Sequence, residues 1–486
     1  MQKLFVTLVL LACTGYLQAK VVLPSTFTNN MVLQQKSKVP LSGTATADHP
    51  VKVTTSWNNK TYKATAGADG RWSLQISTPS YGGPYSITFD DGETLTLENI
   101  LIGEVWICSG QSNMEMNVNG SNGGWGQVYG YEEEVATADY PQIRHLMVKH
   151  TTSATPVAEA AIREGGWEIC SPQTVSNFSA VAYFFARNLY KKNGVPIGLI
   201  HTSWGGTIAE AWVSGGALKT MPDFKATVEK NEAAGAEAFK DNNPNRATAL
   251  YNAMIYPFIT FPVRGAIWYQ GESNAGRAYQ YRTLFPLLIK DWREKWKNPK
   301  MPFFFVQLAS FRDQKENPDE SDWAELREAQ AMTLSLPNTG MAVAIDIGDA
   351  KDIHPKNKQD VGNRLALNAR AKVYGEKVVF AGPVYQGQKV EGGKIRLTFK
   401  SPDGLVAKDG GALKGFSIAG ADKKFHWATA EIQGNDIIVS CPEVTAPVAV
   451  RYAWADNPAN NLVNKTGLPA PPFRTDEWAG ITINNK

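Results

Sequence analysis

The sequence predicts an α/β protein in which a domain built on a parallel sheet lies between two β-rich ends. Three observations predict it. Residues 20–99 alternate apolar and polar with period two, the middle of the chain mixes short apolar runs with helix-patterned segments, and period two returns after residue 376. Alternation marks strands with one face on a core, whereas short apolar runs between turns mark strands covered on both faces. With 486 residues and 43% hydrophobic content, the chain can form more than one packed core.

Lys3, the apolar stretch from Leu4 to Ala12 and the small residue closing Leu17-Gln18-Ala19 compose a secretory signal. Residues 1–19 are therefore expected to be removed, and the protein to be exported to the periplasm or beyond the cell. A competing reading takes Leu10-Leu11-Ala12-Cys13 as a lipoprotein box that would anchor the chain through Cys13, although Leu11 beside Ala12 fits such a box poorly. No other long apolar run exists, so no transmembrane span is expected. After cleavage only Cys108, Cys170 and Cys441 remain, which allows one disulfide at most. None belongs to a CxxC or Cys/His cluster and no HExxH occurs, so a zinc site has little support in the sequence, and no cofactor is expected. Charge is nearly balanced, with 49 Lys and Arg against 46 Asp and Glu, which argues against nucleic acid as a partner.

Within residues 20–99 the strand signals are Val51 and Val53, then Trp72, Leu74 and Ile76, then Tyr85, Ile87 and Phe89, then Leu95 and Leu97. Turn clusters Ala68-Asp69-Gly70, Gly82-Gly83-Pro84 and Asp90-Asp91-Gly92 separate them, as in an antiparallel β-sandwich. Residues 376–486 repeat the texture, with Ile395, Leu397 and Phe399 and then Ile437 to Val439. Between them, residues 100–375 carry the apolar runs Leu101 to Cys108, Pro196 to His201, Val263 to Trp268, Phe303 to Leu308 and Met341 to Ile345. Ala180 to Lys191 and Tyr281 to Lys297 space their apolar residues for one buried helix face. Residues 214–247, rich in Ala, Lys, Glu and Asn, read as a solvated helical insertion.

In a parallel α/β sheet, ligands bind beyond the carboxyl ends of the strands. Those ends carry Ser109-Gly110-Gln111-Ser112-Asn113-Met114, Thr202-Ser203-Trp204-Gly205-Gly206-Thr207, Tyr269-Gln270-Gly271-Glu272-Ser273-Asn274 and Asp346-Ile347-Gly348-Asp349-Ala350-Lys351-Asp352-Ile353-His354-Pro355. A hydroxyl, a glycine pair, an amide and a carboxylate-histidine group are the parts of an acyl-transfer site. Ser112 needs a base, and of the six histidines His354 alone follows a strand end beside carboxylates. His201, inside an apolar run, reads as structural. Gly110-Gln111-Ser112-Asn113-Met114 lacks the second glycine of G-x-S-x-G, which argues against the common α/β-hydrolase fold.

These blocks resemble the SGNH/GDSL hydrolases, and within them the sialate O-acetylesterase family of carbohydrate esterases. The likeness is carried by Glu104-Val105-Trp106 to Met114, Trp204 to Thr207 with Glu210-Ala211-Trp212, Trp268 to Asn274, Asp352 to Pro355, and Gly467 to Asp476. It covers most of the chain. The resemblance implies a flavodoxin-like catalytic domain with β-sandwich additions, and metal-free hydrolysis of O-acetyl esters on sugars, with sialic acid, xylan or another acetylated glycan as substrate. It implies Ser112 as nucleophile and His354 as base, with an oxyanion hole from the Ser112 N–H, a Gly205 or Gly206 N–H, and the Gln270 side chain. Two positions depart from the family pattern. The third block usually offers an Asn after glycine, whereas Gln270 precedes Gly271, so Asn274 is a rival donor. The last block is usually Asp-x-x-His, but Lys351 stands there, leaving Asp352, Asp349 and Glu272 as candidate acids, with Asp352 favoured. Two other classes compete: a glycoside hydrolase working with Glu272 and Asp349, and a non-catalytic carbohydrate-binding protein.

Overall fold

A computed structural model describes residues 21–401 and 403–486; the expected signal segment, with Cys13 and Ala19, lies outside the described residues. The fold is organised by one strand of 17 residues, β1 (Thr94–Gly110). Its first half has exposed or half-buried positions, while every residue from Ile100 to Gly110 is buried. The first half pairs antiparallel with Gly82–Asp90, Val32–Gln34 joins it in parallel, and the second half runs into the central sheet. The boundary expected at residue 99 thus falls inside an unbroken strand.

The other central strands are β2 (Tyr140–Val148), β3 (Ile162–Cys170), β4 (Ile197–Ser203), β5 (Gly265–Tyr269), β6 (Phe303–Gln307) and β7 (Thr339–Val343). They stand in the order β7-β6-β5-β1-β4-β2-β3, all parallel except the β2–β3 hairpin. Without that hairpin and β2, the order β4-β1-β5-β6-β7 is the 2-1-3-4-5 arrangement of a flavodoxin-like sheet. Its strand order reverses at β1, so the crevice beyond the end of β1 is the place where such sheets bind ligands.

Five helices position the site: α1 (Ser112–Glu115), α2 (Ala180–Asn193), α3 (Ala278–Lys295), α4 (Asp322–Met332) and α5 (Lys358–Lys372). Capping fixes where they begin and end. Ser179 and Ser321 accept N–H bonds at the starts of α2 and α4, Asn357 does so for α5, and Gly194 closes α2 in the left-handed conformation. Helices α2 and α5 meet at Gly362, where a Cβ would lie 2.6 Å from that of Phe184. Aromatic packing holds the layers together on both faces of the sheet. Trp106 of β1 packs edge-on against Phe185 of α2, and Trp268 of β5 meets Trp212, Phe285 and Trp292. Each such ring buries enough apolar surface to contribute roughly 1.5–3 kcal/mol or more.

The two ends build separate layers. Strand Arg71–Ser77 pairs with Lys38–Thr44 and lays Trp72 against Phe89 of the facing sheet, at 5.9 Å between centroids. At the other end two four-stranded antiparallel sheets pack through Tyr385, Phe399, Tyr452 and Phe473. Among the described residues no sheet takes strands from both ends. The buried Arg327 of α4 ties the C-terminal region to the sheet by donating to the carbonyls of Leu308, Ala309, Ala455 and Asp456. Residues 214–247 include the helices Gly215–Leu218 and Pro222–Ala234. Cys108, Cys170 and Cys441 are buried and unpaired, and no described helix is long and apolar enough to cross a membrane.

Candidate active site

At the end of β1 the chain must turn sharply into α1 while touching its neighbour β5. Gly110, at φ 137°, makes this contact; a Cβ there would lie 2.1 Å from the Tyr269 carbonyl oxygen. The Gln111 N–H donates to the same carbonyl at 2.9 Å and the Trp204 N–H donates to the Gly110 carbonyl at 3.1 Å. The ends of β1, β4 and β5 are thereby locked together, and Ser112 stands at the switch point as the first residue of α1.

His354, from the loop after β7, lies with Nε2 2.8 Å from Ser112 Oγ. Asp352 Oδ1 is 3.4 Å from His354 Nδ1 and accepts the His354 backbone N–H at 2.9 Å. The structure thus brings Ser112, His354 and Asp352 into one line, a geometry able to move a proton off the hydroxyl. Lys356 Nζ reaches Asp352 Oδ2 at 2.8 Å and also donates to the Trp125 carbonyl. Burial raises the Asp352 carboxyl, but hydrogen bonds from Lys356 and the His354 N–H outweigh it and hold the group below the usual carboxylate range. Burial and then the charge of Lys358 push His354 down to about 4 against the pull of Asp352, so the imidazole is neutral at ordinary pH.

The other candidate acids are placed elsewhere. Asp349 is exposed and accepts the Lys351 N–H at 2.8 Å, while Glu272 accepts from Asn113 Nδ2 at 2.6 Å. Burial raises the Glu272 carboxyl despite that bond and the nearby Lys358.

The expected amide donor requires a correction. Gln270 is fully buried, and its Nε2 donates to Thr207 O at 3.1 Å and Asn274 Oδ1 at 2.6 Å while Oε1 accepts from Tyr281. Both of its N–H groups are spent, so the amide cannot also face an oxyanion. Its rival Asn274 is buried as well and turns its NH₂ to Glu210 at 3.1 Å. These two amides knit β5 to the segment after β4.

The glycine pair is at Ser112. A Cβ on Gly205 would lie 3.3 Å from Ser112 Cβ. The Gly205 N–H, however, donates to the Glu115 carboxylate, whereas the N–H groups of Ser112 and Gly206 have no partner among the described residues. The other Glu115 oxygen is 3.2 Å from His150 Nε2, and His150 stacks on Trp204 at 4.3 Å with planes 7° apart. Glu115, His150, Lys356 and Lys358 were not among the expected site residues. Lys356 and Lys358 follow His354 by two and four positions, a spacing that was the available signal; His150 has no such mark.

Cavities of about 230 and 270 Å³, one beside Trp427 and one beside Met341, include neither Ser112 nor His354 in their walls.

Comparison with known proteins identifies the family. The family described as "Carbohydrate esterase, sialic acid-specific acetylesterase" matches residues 102–371, which span the four strand ends. The sialate O-acetylesterase of Homo sapiens is 32% identical over 508 residues, covering 94% of this chain and 93% of its own. That of Pongo abelii is 32% identical over 494 residues, covering 92% and 90%. A crystal structure of a carbohydrate acetylesterase from Xanthomonas citri superposes with a TM-score of 0.85 at 39% identity, covering 94% of this chain and all of the other. The chain is a carbohydrate esterase belonging to the sialic acid-specific acetylesterase family.

Proposed function

We propose that the chain removes O-acetyl groups from sugars through an acyl-enzyme on Ser112. The observation that carries this reading is the 2.8 Å contact between Ser112 Oγ and His354 Nε2, with Asp352 at the far nitrogen. His354 takes the Ser112 proton as Oγ attacks the acetyl carbonyl, and the Ser112 and Gly206 N–H groups receive the oxyanion. The C–O bond to the sugar breaks as His354 returns the proton to the leaving oxygen. Water, deprotonated by the same imidazole, then attacks the acetyl-serine and frees acetate. Asp352 orients the ring and offsets the imidazolium charge as it forms.

O-acetylated sialic acid is the substrate we favour, since the curated relatives are named for it and the likeness spans more than nine-tenths of the chain. Other acetylated glycans, including acetylated xylan, form the second reading. The 39% identical Xanthomonas citri protein, described as a carbohydrate acetylesterase, favours it. Export is part of the proposal and rests on the signal pattern in residues 1–19.

A fluorophosphonate adduct should map to the peptide holding Ser112, and Ser112→Ala should lower kcat by about 10⁴-fold or more. Labelling at Ser109 or Ser273 with Ser112 free would refute the mechanism, and activity retained by Ser112→Ala would turn attention to a carboxylate pair. Acetate release from defined acetylated sugars separates the two substrate readings.

A further inference from the structure

Lys358 opens helix α5 and is fully buried, an expensive placement for an ammonium group unless something fixes it. It donates to Asn113 Oδ1 at 2.5 Å. Asn113 follows Ser112 directly, is itself buried, and uses its NH₂ in two directions: to Glu272 Oε1 at 2.6 Å and to the Ile353 carbonyl at 3.0 Å. Ile353 precedes His354. One amide therefore joins the loops after β1, β5 and β7, and both of its N–H groups are engaged. A flipped amide would set NH₂ against the ammonium and the carbonyl against the carboxylate, so the flanking charges fix its orientation.

We propose that Asn113, Lys358 and Glu272 form a positioning relay for the esterase reaction, in which Asn113 sets the spacing of Ser112 and His354 and Lys358 keeps a positive charge behind the imidazole. The proposal rests on Ser112 and His354 being the reacting pair. A cation there disfavours the imidazolium and so hastens return of the proton to the leaving oxygen. The groups facing His354 are Asp352 from its own loop, Lys356 through Asp352, Ser112 from α1, the uncharged Trp125 stacked on its ring, and Lys358 from α5 with Glu272 behind Asn113. After burial, Lys358 is the largest influence depressing the imidazole. Burial lowers Lys358 itself to about 7, against the pull of Glu272 and Asp352, so the cation is present throughout the acid range.

The test is the pH profile of kcat and kcat/KM with p-nitrophenyl acetate, on variants first checked for folding by circular dichroism and melting. Lys358→Met should move the acid limb of kcat/KM upward by about one pH unit. Lys358→Gln, which can still reach Asn113, should give the same shift with the plateau kcat better kept. Asn113→Ala should lower kcat by about 10²-fold with KM little changed, whereas Glu272→Gln, which retains an acceptor for Asn113, should keep kcat within about tenfold. An acid limb that stays in place in a folded Lys358 variant, or a wild-type kcat in Asn113→Ala, overturns the relay. If neither Lys358 variant folds, Asn113→Ala decides alone: a loss confined to kcat supports the relay and an unchanged kcat refutes it. Activity surviving in Ser112→Ala would instead refute the reading beneath it, so the two failures are distinct.

Discussion

The indole of Trp125 stacks on the imidazole of His354, with centroids 4.9 Å apart and planes inclined by 27°. The same residue's carbonyl holds Lys356, which holds Asp352, so one loop residue both covers the ring and braces its carboxylate partner.

Trp125→Ala should therefore raise the acid limb of kcat/KM from near pH 4 toward the ordinary histidine value of about 6.5. The sign follows from burial. An aromatic face also attracts an imidazolium and would raise the pKa, but His354 lies low, so desolvation outweighs that attraction. The measurement is the rate profile from about pH 3.5 to about pH 8, which brackets both values. A limb that stays put would mean that the stack does not set the basicity of the ring.

Asp352→Asn should reduce kcat by about 10⁴-fold with the fold intact, because the amide favours the wrong tautomer of His354. Asp349→Asn should be close to wild type, since that carboxylate is exposed and serves only the Lys351 N–H. More than about a tenth of wild-type kcat in Asp352→Asn, a loss under about 1.4 kcal/mol, excludes the orienting role.

Gln270→Ala should act on stability. Its removal strands the Tyr281 hydroxyl and the Thr207 carbonyl in the interior and takes one of two donors from Asn274 Oδ1, which keeps the Ala209 N–H, at a cost of about 1–3 kcal/mol. Thermal melting should register that loss, while kcat of the folded fraction should fall much less than the 10²- to 10³-fold typical of a lost oxyanion donor (an order-of-magnitude benchmark). A drop of that size in kcat with an unchanged melting temperature would restore Gln270 to the oxyanion hole.

The α/β class was legible because strands covered on both faces leave short apolar runs, and the residues after them placed Ser112 and His354 beyond the ends of two strands of one sheet. The 99/100 boundary was not. The pattern changes from alternating to continuous at that point because β1 passes from a half-exposed layer to a covered one, and a change of surroundings along one strand reads like a change of element. Gln270 was misassigned because an amide after a strand end looks the same whether it faces the crevice or, as here, Tyr281 on α3 and Thr207 after β4. Lys358 was passed over for the opposite reason: despite its spacing from His354, a lysine at a helix start reads as a solvated charge, and only the tertiary fold buries it on Asn113.

The last prediction concerns acid stability, and it starts from two histidines away from the reacting pair. His145 is fully buried, stacks on Phe178 at 4.5 Å, and neither ring nitrogen has a hydrogen-bond partner among the described residues. His201 is buried beside it with Nε2 2.6 Å from Ser203 Oγ. Burial, followed by the charge of neighbouring His201 and Arg163, holds His145 well below its ordinary value; burial and then His150 hold His201 at about 3. Both are therefore neutral in the folded chain where the unfolded chain, with values near 6.5, binds protons. Stability is complete above about pH 6.5 and falls as pH drops toward the folded values, by about 1.4 kcal/mol per pH unit for each ring. At pH 5 charging of His201, held at about 3, costs roughly 2 kcal/mol, a sizeable share of a typical 5–15 kcal/mol, and His145 adds to it in the same direction. Buried Glu272 and Asp291, whose carboxyls are raised chiefly by burial, oppose this slope. The contribution is therefore best isolated by variant: His145→Leu should melt at temperatures that differ less between pH 7 and pH 5 than wild type does. An equal or steeper dependence in that variant would show that His145 is not the group whose charging weakens the fold. Because the imidazole of His354 is held at about 4, below the range in which these rings begin to destabilise the chain, initial rates after a pH jump should outlast equilibrium activity in acid, and the gap between them should narrow in His145→Leu.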